Sequence, residues 1–246
     1  MQAGKVVIIT ARPSMGKTTF VTNIIKHLIS NTEKRVLACP LETGSANLMD
    51  YLVVQDCNEN KLGITIKDVM ARMGNMDIVQ KHKINKSIDR ILDTDRLEIA
   101  DTRDLTLTRL GGILQNSEHD ICFLDLFEKL ADVTEENLSQ KLEEAQIIAQ
   151  KTGTCLVLVT QLRRTGQKVS KKPDLEQIKN SGKYEEVGDL IIGLYREYYY
   201  NKDVEDIIEI MILKQRNGLR NYSAGYEFLG SIGKIGEYKE VDDGGW

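Results

Sequence analysis

The sequence predicts an α/β fold with a mostly parallel twisted sheet and helices on both faces, and three observations predict it. Strand-like apolar runs alternate with segments of helical period along most of the 246 residues. Runs such as Val6-Val7-Ile8-Ile9 and Ile121-Cys122-Phe123-Leu124 are continuously apolar, as in strands covered on both faces. Lys5 to Thr19, KVVIITARPSMGKTT, reads in order as a buried strand, a tight loop and a helix start. At this length the chain can hold a full core, and one domain over residues 1–246 is the expectation.

The first helix runs from Lys17 to Ile29, with Phe20, Ile24, Ile25 and Leu28 at the spacing of a face packed on a sheet. A second strand, Arg35 to Pro40, ends at Leu41-Glu42-Thr43. Helical patterns follow from Ser45 to Asp56 and through Ile66 to Leu92, with Gly74 as a break. Leu97 to Ala100 is a short strand, Thr106 to Gln115 a helix, and Ile121 to Asp125 an apolar strand closed by one carboxylate. Thr134 as N-cap and Gly153 as stop bracket a helix from about Glu135 to Lys151. Cys155 to Thr160 is a strand ending in Gln161, and Arg163 to Lys183 reads mostly as loop. Strands resume at Leu190 to Tyr195 and Ile207 to Leu213, with Tyr226 to Leu229 in an edge hairpin.

Composition is that of an ordinary globular chain, 41% apolar and 28% charged. No run approaches the roughly 18 apolar residues of a membrane span, and the N-terminus lacks the order of a signal peptide. A cytoplasmic setting without membrane contact is expected. Cys39, Cys57, Cys122 and Cys155 lack paired CxxC spacing and read as buried thiols of a reducing compartment. His27, His82 and His119 are too scattered for a metal cluster. A net charge of -4 argues against a surface coated for nucleic acid, though a local basic stripe remains compatible with it.

Ala11 to Thr18, ARPSMGKT, fits a phosphate-binding loop whose first glycine is alanine. Gly16 lets backbone approach phosphate, and the amides of Ser14, Met15, Gly16 and Thr19 with the positive helix end would cradle the anion. Lys17 would reach the β- and γ-phosphates, and the Thr18 hydroxyl would ligate magnesium. In a parallel sheet ligands collect at carboxyl strand ends. Glu42, Asp125 and Gln161 fall at three such ends. Asp125 fits the acid on the magnesium side of nucleotide hydrolases, Glu42 a base for the attacking water, and Gln161 a γ-phosphate sensor. Taken singly, each also reads as a turn cap, a first-turn acid or a solvated amide.

Six motifs in order carry a resemblance: ARPSMGKT at 11–18, PLE at 40–42, FLDL at 123–126, TQLRR at 160–164, LYREYY at 194–199 and KQRNG at 214–218. Together they resemble the RecA-like motor domain of the DnaB replicative helicases, over nearly the whole chain. The resemblance implies a RecA-like P-loop NTPase using ATP and Mg2+. It makes Lys17 and Thr18 nucleotide and metal ligands, Glu42 the base, Asp125 the metal-side acid and Gln161 the sensor. Lys214 and Arg216 become the pair that reaches a neighbouring subunit's site, where a guanidinium stabilises charge on the transferring phosphoryl group. Without the family, those two would read as a solvated strand end before an Asn217-Gly218 turn.

From Arg163 to Lys183, seven basic residues stand against two acidic ones. In the family, loops of this region hold the backbone of single-stranded DNA in a ring's central channel, which suits contacts from Arg164, Lys179, Asn180, Ser181, Gly182 and Lys183. Here Lys179-Asn180-Ser181-Gly182 stands where the family carries Arg-Glu-Ser-Gly. Tyr198 to Tyr200 suit an edge strand with aromatic packing at least as well as base stacking. The family's helical N-terminal domain and linker have no counterpart in these residues, which predicts a weakened hexameric ring, with a primase or helicase loader as further partners. A stand-alone ATPase acting as a nucleotide-dependent assembly switch is the competing expectation. A small-molecule kinase is the third, opposed by the lack of an arginine-rich lid.

Overall fold

The chain folds, in order, as β1 (Val6–Ala11), α1 (Lys17–Asn31), β2 (Val36–Cys39), α2 (Ser45–Glu59), α3 (Ile66–Met70), α4 (Ile78–Leu92), β3 (Leu97–Ile99), α5 (Leu107–Gln115), β4 (Ile121–Asp125), α6 (Leu138–Thr152), β5 (Cys155–Gln161), α7 (Ser181–Val187), β6 (Leu190–Tyr195), β7 (Ile207–Gln215), β8 (Tyr222–Leu229) and β9 (Lys234–Lys239). This is a computed structural model that describes residues 1–59, 63–71, 76–100, 104–162, 172–178, 180–216, 218 and 222–240.

All six residues of β1 are buried, which is why this stretch is apolar without alternation. The strand occupies the centre of one sheet, ordered β3-β2-β4-β5-β1-β6-β7-β8-β9. Pairing is parallel from β3 to β6 and antiparallel from β6 to β9. Val7 and Ile9 point into a core shared with α1, α2 and α4. Val6 and Ile8 point into the opposite core, beneath α5, α6 and α7. Burying each such side chain contributes about 1.5–3 kcal/mol, so the central strand is pinned from both sides. Cys39, Cys57, Cys122 and Cys155 are buried free thiols.

Several boundaries differ from the sequence expectation. The Ile66 to Leu92 pattern is two helices, α3 and α4, capped by Thr65 and Asp77; the break expected at Gly74 lies outside the described residues. Helix α6 starts at Leu138 rather than Glu135. Thr134 is not its cap: its N–H donates to Asn137 Oδ1 at 2.7 Å in a preceding turn, and Asn137 takes the cap position. Gly153 stops the helix in the left-handed conformation, φ 72°. Inside the expected loop, a 3-10 turn at Leu175–Gln177 and helix α7 are formed. Tyr226 to Leu229 belongs to a longer inner strand, because β9 pairs on its far side and takes the edge. Tyr198 and Tyr199 lie in a 3-10 turn rather than an edge strand, and Tyr199 packs edge-on against Tyr200 at 5.1 Å between centroids.

Candidate nucleotide site

The loop between β1 and α1 is shaped by two left-handed residues, Ser14 at φ 64° and Gly16 at φ 89°. Glycine is needed at position 16 for a second reason. A Cβ there would stand 2.7 Å from the Phe228 ring of β8. Gly16 is also the N-cap of α1 and offers no side-chain cap, so the first-turn amides are left to an anion. Met15 turns its side chain into the core and anchors the loop from beneath.

A cleft of about 380 Å3 opens beside this loop, lined by Ser14, Gly16, Lys17, Thr18, Thr19, Glu42 and Gln161 among others. Strand register explains the convergence. Gln161 pairs with Ala11, the last residue of β1, and Asp125 pairs with Val159 two residues earlier on β5. Glu42 is drawn in by its backbone N–H, which donates to the Asp125 carbonyl at 3.0 Å. Thr18 and Asp125 also line one narrow cleft with Cys39 and Thr43. Five of the residues singled out from the sequence, Lys17, Thr18, Glu42, Asp125 and Gln161, are therefore neighbours in space.

The electrostatics of the cleft are those of a site short of counter-charge. Lys17 is buried, and among the described residues its Nζ donates to the carbonyls of Ala11 and Arg12, at 3.4 and 3.5 Å. Burial lowers its pKa, with Asp125, Glu42 and Glu128 opposing. Asp125 is raised to about 6, first by burial, with Lys17 opposing and Glu42 and Glu128 adding to it. A phosphate beside Lys17 and a cation beside Asp125 would each relieve a cost already present in the fold.

Arg196, Tyr51, Phe228 and Gly230 also line the cleft, and the sequence reading gave them no role. Arg196 donates to both oxygens of Asp206, at 2.7 and 2.6 Å, and to the Ser14 carbonyl at 3.2 Å. Its guanidinium lies 3.6 Å from the Phe228 ring centroid. Arg196 directly follows the carboxyl end of β6, a neighbour of β1, so the strand-end rule that found Gln161 applies to it as well. Glu128 was missed too; it lies three residues past Asp125 in a 3-10 turn.

Lys214 and Arg216 are not part of this cluster. β7 runs antiparallel to β6, and Gln215 pairs with Leu190, which puts them at the amino end of β6, across the sheet from the cleft. Lys214 is buried and donates to the carbonyls of Glu185 and Gly188. Arg216 donates to the Glu186 carbonyl at 2.8 Å and pairs with Asp189 at 3.2 Å. Asn180, Ser181, Gly182 and Lys183 line a separate cleft of about 480 Å3, with Asn180 left-handed at φ 57°. Lys183 is held by Glu143 and Glu186, whose hydrogen bonds raise its pKa. Arg164 and Lys179 lie outside the described residues.

A buried lysine and a half-buried threonine hydroxyl after a left-handed glycine, beside acids at neighbouring carboxyl strand ends, define a P-loop nucleoside triphosphatase with the RecA-like order of strands. The DnaB-like helicase C terminal domain family matches residues 1–234, and the chain belongs to that family. The replicative DNA helicase DnaB of Geobacillus stearothermophilus is 30% identical over 227 residues, which is 88% of this chain and 49% of that one. The chain thus spans about half the length of the curated relatives it matches. Among solved structures, the ATPase domain of G40P superposes with a TM-score of 0.86 at 22% identity, covering 97% of this chain and 86% of that one. A DnaB-like replicative helicase described with its interactions with primase gives 0.84 at 24% identity, over 96% and 57%. Among the described residues no helix is long and apolar enough to cross a membrane.

Proposed function

We propose that this chain is the ATP-hydrolysing motor of a hexameric replicative DNA helicase that translocates on single-stranded DNA. One observation carries the reading. Lys17, Thr18, Glu42 and Gln161 line one cleft and Asp125 lines the narrow cleft that adjoins it at Thr18, while Lys214 and Arg216 lie at the opposite end of the sheet, which supports their use in another subunit's cleft. ATP is the substrate, with its phosphates on the amides of residues 14–19 and on Lys17. Glu42 orients a water and takes its proton as the water oxygen attacks the γ-phosphorus in line and the bond to the β,γ-bridging oxygen breaks, releasing ADP. Gln161 holds a γ-phosphate oxygen. Lys17, with the neighbour's Lys214 and Arg216, stabilises the charge that develops.

The residues present fit magnesium. Asp125 is a buried acid destabilised as an anion, and it shares its narrow cleft with the Thr18 hydroxyl, the hard oxygen pair such a cation takes. Thr18 and Asp125 would hold it, and the ion supplies neutralisation of phosphate charge.

The Asn180 to Lys183 segment, with Arg164 and Lys179, is the proposed contact to the DNA backbone, without base readout. Lys183 must exchange its two carboxylate partners for phosphate to serve there. The neighbour described with primase makes a primase a proposed partner, the family resemblance adds a helicase loader, and buried free thiols suit a cytoplasmic setting.

The test is ATP hydrolysis across protein concentration, with and without single-stranded DNA, beside Arg216→Ala. A rate per chain that climbs with concentration and DNA and collapses in Arg216→Ala supports a ring motor with shared sites. A rate flat in all three arms overturns it and leaves the nucleotide-dependent assembly switch.

A further inference from the structure

Glu128 joins three elements through one atom. Its Oε1 accepts from the Thr160 hydroxyl on β5 and, at 2.7 Å, from the Tyr184 hydroxyl on α7. Its Oε2 is buried and, among the described residues, accepts no hydrogen bond, so half of the carboxylate is held out of water. Such an arrangement costs stability, and a neutral or apolar residue would pack there more simply. Tyr184 is fully buried, and burial together with Glu128 raises its pKa well above the ordinary tyrosine value. It is therefore a permanent donor at neutral pH.

The three elements lead to different places. Thr160 directly precedes Gln161, and the next N–H, of Leu162, donates to the Ala11 carbonyl at 3.0 Å, so the end of β5 is tied to the end of β1 where the phosphate loop begins. The charge of Glu128 is felt at both Lys17 and Asp125. On the other side, the last carbonyls of α7 and its cap, Glu185, Glu186 and Gly188, are the acceptors for Lys214 and Arg216. Helix α7 is also pressed hard on the sheet. A Cβ on Gly188 would stand 2.7 Å from Ile8 of β1, so the end of the helix lies directly against the strand that leads into the phosphate loop.

We propose that Glu128 is a positioning residue that, through Tyr184, couples phosphate occupancy of the cleft to the placement of α7 and so to the release of Lys214 and Arg216. Displacement of the Thr160–Gln161 strand end loads the shared Oε1, and α7 takes up the change because its hydroxyl is the other donor on that atom. Two discrete pairings of one carboxylate, rather than elastic strain across the sheet, carry the signal. The inference rests on the cleft being a nucleotide site, and only its DNA arm rests on the helicase reading.

The experiment compares the chain with Tyr184→Phe, which removes one hydroxyl and keeps the ring. Hydrogen exchange of the amides of residues 181–187 is followed with and without a non-hydrolysable ATP analogue and Mg2+. In the parent chain the analogue changes that exchange; in Tyr184→Phe the response is lost, while analogue affinity stays within about twofold and stimulation by single-stranded DNA falls about fivefold or more. Glu128→Gln, which keeps a carbonyl acceptor for both hydroxyls, retains the response, and Glu128→Leu loses it, so the coupling is tested even where one variant fails to fold. Exchange of α7 indifferent to a bound analogue, or a response in Tyr184→Phe equal to the parent's, overturns the coupling. A response in α7 with no DNA stimulation in the parent upholds the coupling and overturns the helicase reading. Failure of the analogue to bind overturns both.

Discussion

The backbone N–H of Glu42 donates to the carbonyl of Asp125 at 3.0 Å, which fixes the proposed base to the proposed metal-side acid regardless of where either side chain turns. The main chain that carries each of the two carboxylates is thereby joined just past the β2 and β4 strand ends. Glu42→Gln leaves this link intact. We expect nucleotide affinity within about twofold of the parent and a hydrolysis rate lower by roughly 10²–10⁴, as for loss of a general base. Equilibrium binding beside single-turnover hydrolysis checks it; a rate loss matched by an affinity loss would contradict the assignment.

Asp125 gives a pH dependence with a definite sign. Its folded-state pKa, about 6, lies above the ordinary carboxylate value of about 4, so the stability tied to the neutral acid is present below about pH 4 and lost as pH rises through about 6. Asp125→Asn is expected to be more stable than the parent at pH 7.5 by about 1–3 kcal/mol, a gain that disappears below pH 4. Urea unfolding at stepped pH measures both ends of this window.

For Lys17 burial depresses the pKa, so the ammonium is held in the fold at a cost near neutral pH. Lys17→Met should lose nucleotide affinity by roughly 10- to 100-fold, the worth of a charge-assisted hydrogen bond to phosphate. Its melting temperature without nucleotide should be equal to or above the parent's. Isothermal titration paired with a thermal melt separates the two effects.

Gly16→Ala meets a positive φ and the Phe228 ring together. A loss of about 1–3 kcal/mol is expected. Adding Phe228→Ala should not restore it, because the backbone conformation stays unfavourable for a side chain. Denaturant midpoints of the single and double variants decide the point.

The parallel half of the sheet and its ligand end were legible because their signals are local. Val6 to Ile9 is apolar without a break, Gly16-Lys17-Thr18 follows a short loop later, and Asp125 and Gln161 close their strands while Glu42 follows β2 by three residues. Helix α7 was hidden by its neighbours: Ser181 to Val187 holds only Tyr184 and Val187 as buried anchors and sits behind a lysine-rich stretch that reads as loop. The strand β9 was missed because KIGEYK buries none of its residues fully and finds its partner only through β8. Arg196 and Glu128 were missed for another reason. Arg196 does follow a strand end, but its contact with Ser14 spans 182 residues, and Glu128 meets Thr160 and Tyr184 at separations of 32 and 56, pairings that no local pattern encodes.

The central position of β1 also sets the order in which this chain can acquire its shape. The first strand to leave a ribosome is the fifth in the sheet, and it has no hydrogen-bonding neighbour until Cys155–Gln161 and then Leu190–Tyr195 have been made. The aromatic floor beneath Gly16 comes later still, with Phe228. Contacts so distant in sequence make for slow acquisition of native structure and leave an uninterrupted apolar segment exposed meanwhile. The earliest stretch synthesised is thus among the last to be finished, and a nascent chain cut short before β8 has the residues of the phosphate loop without the surface that gives them their form.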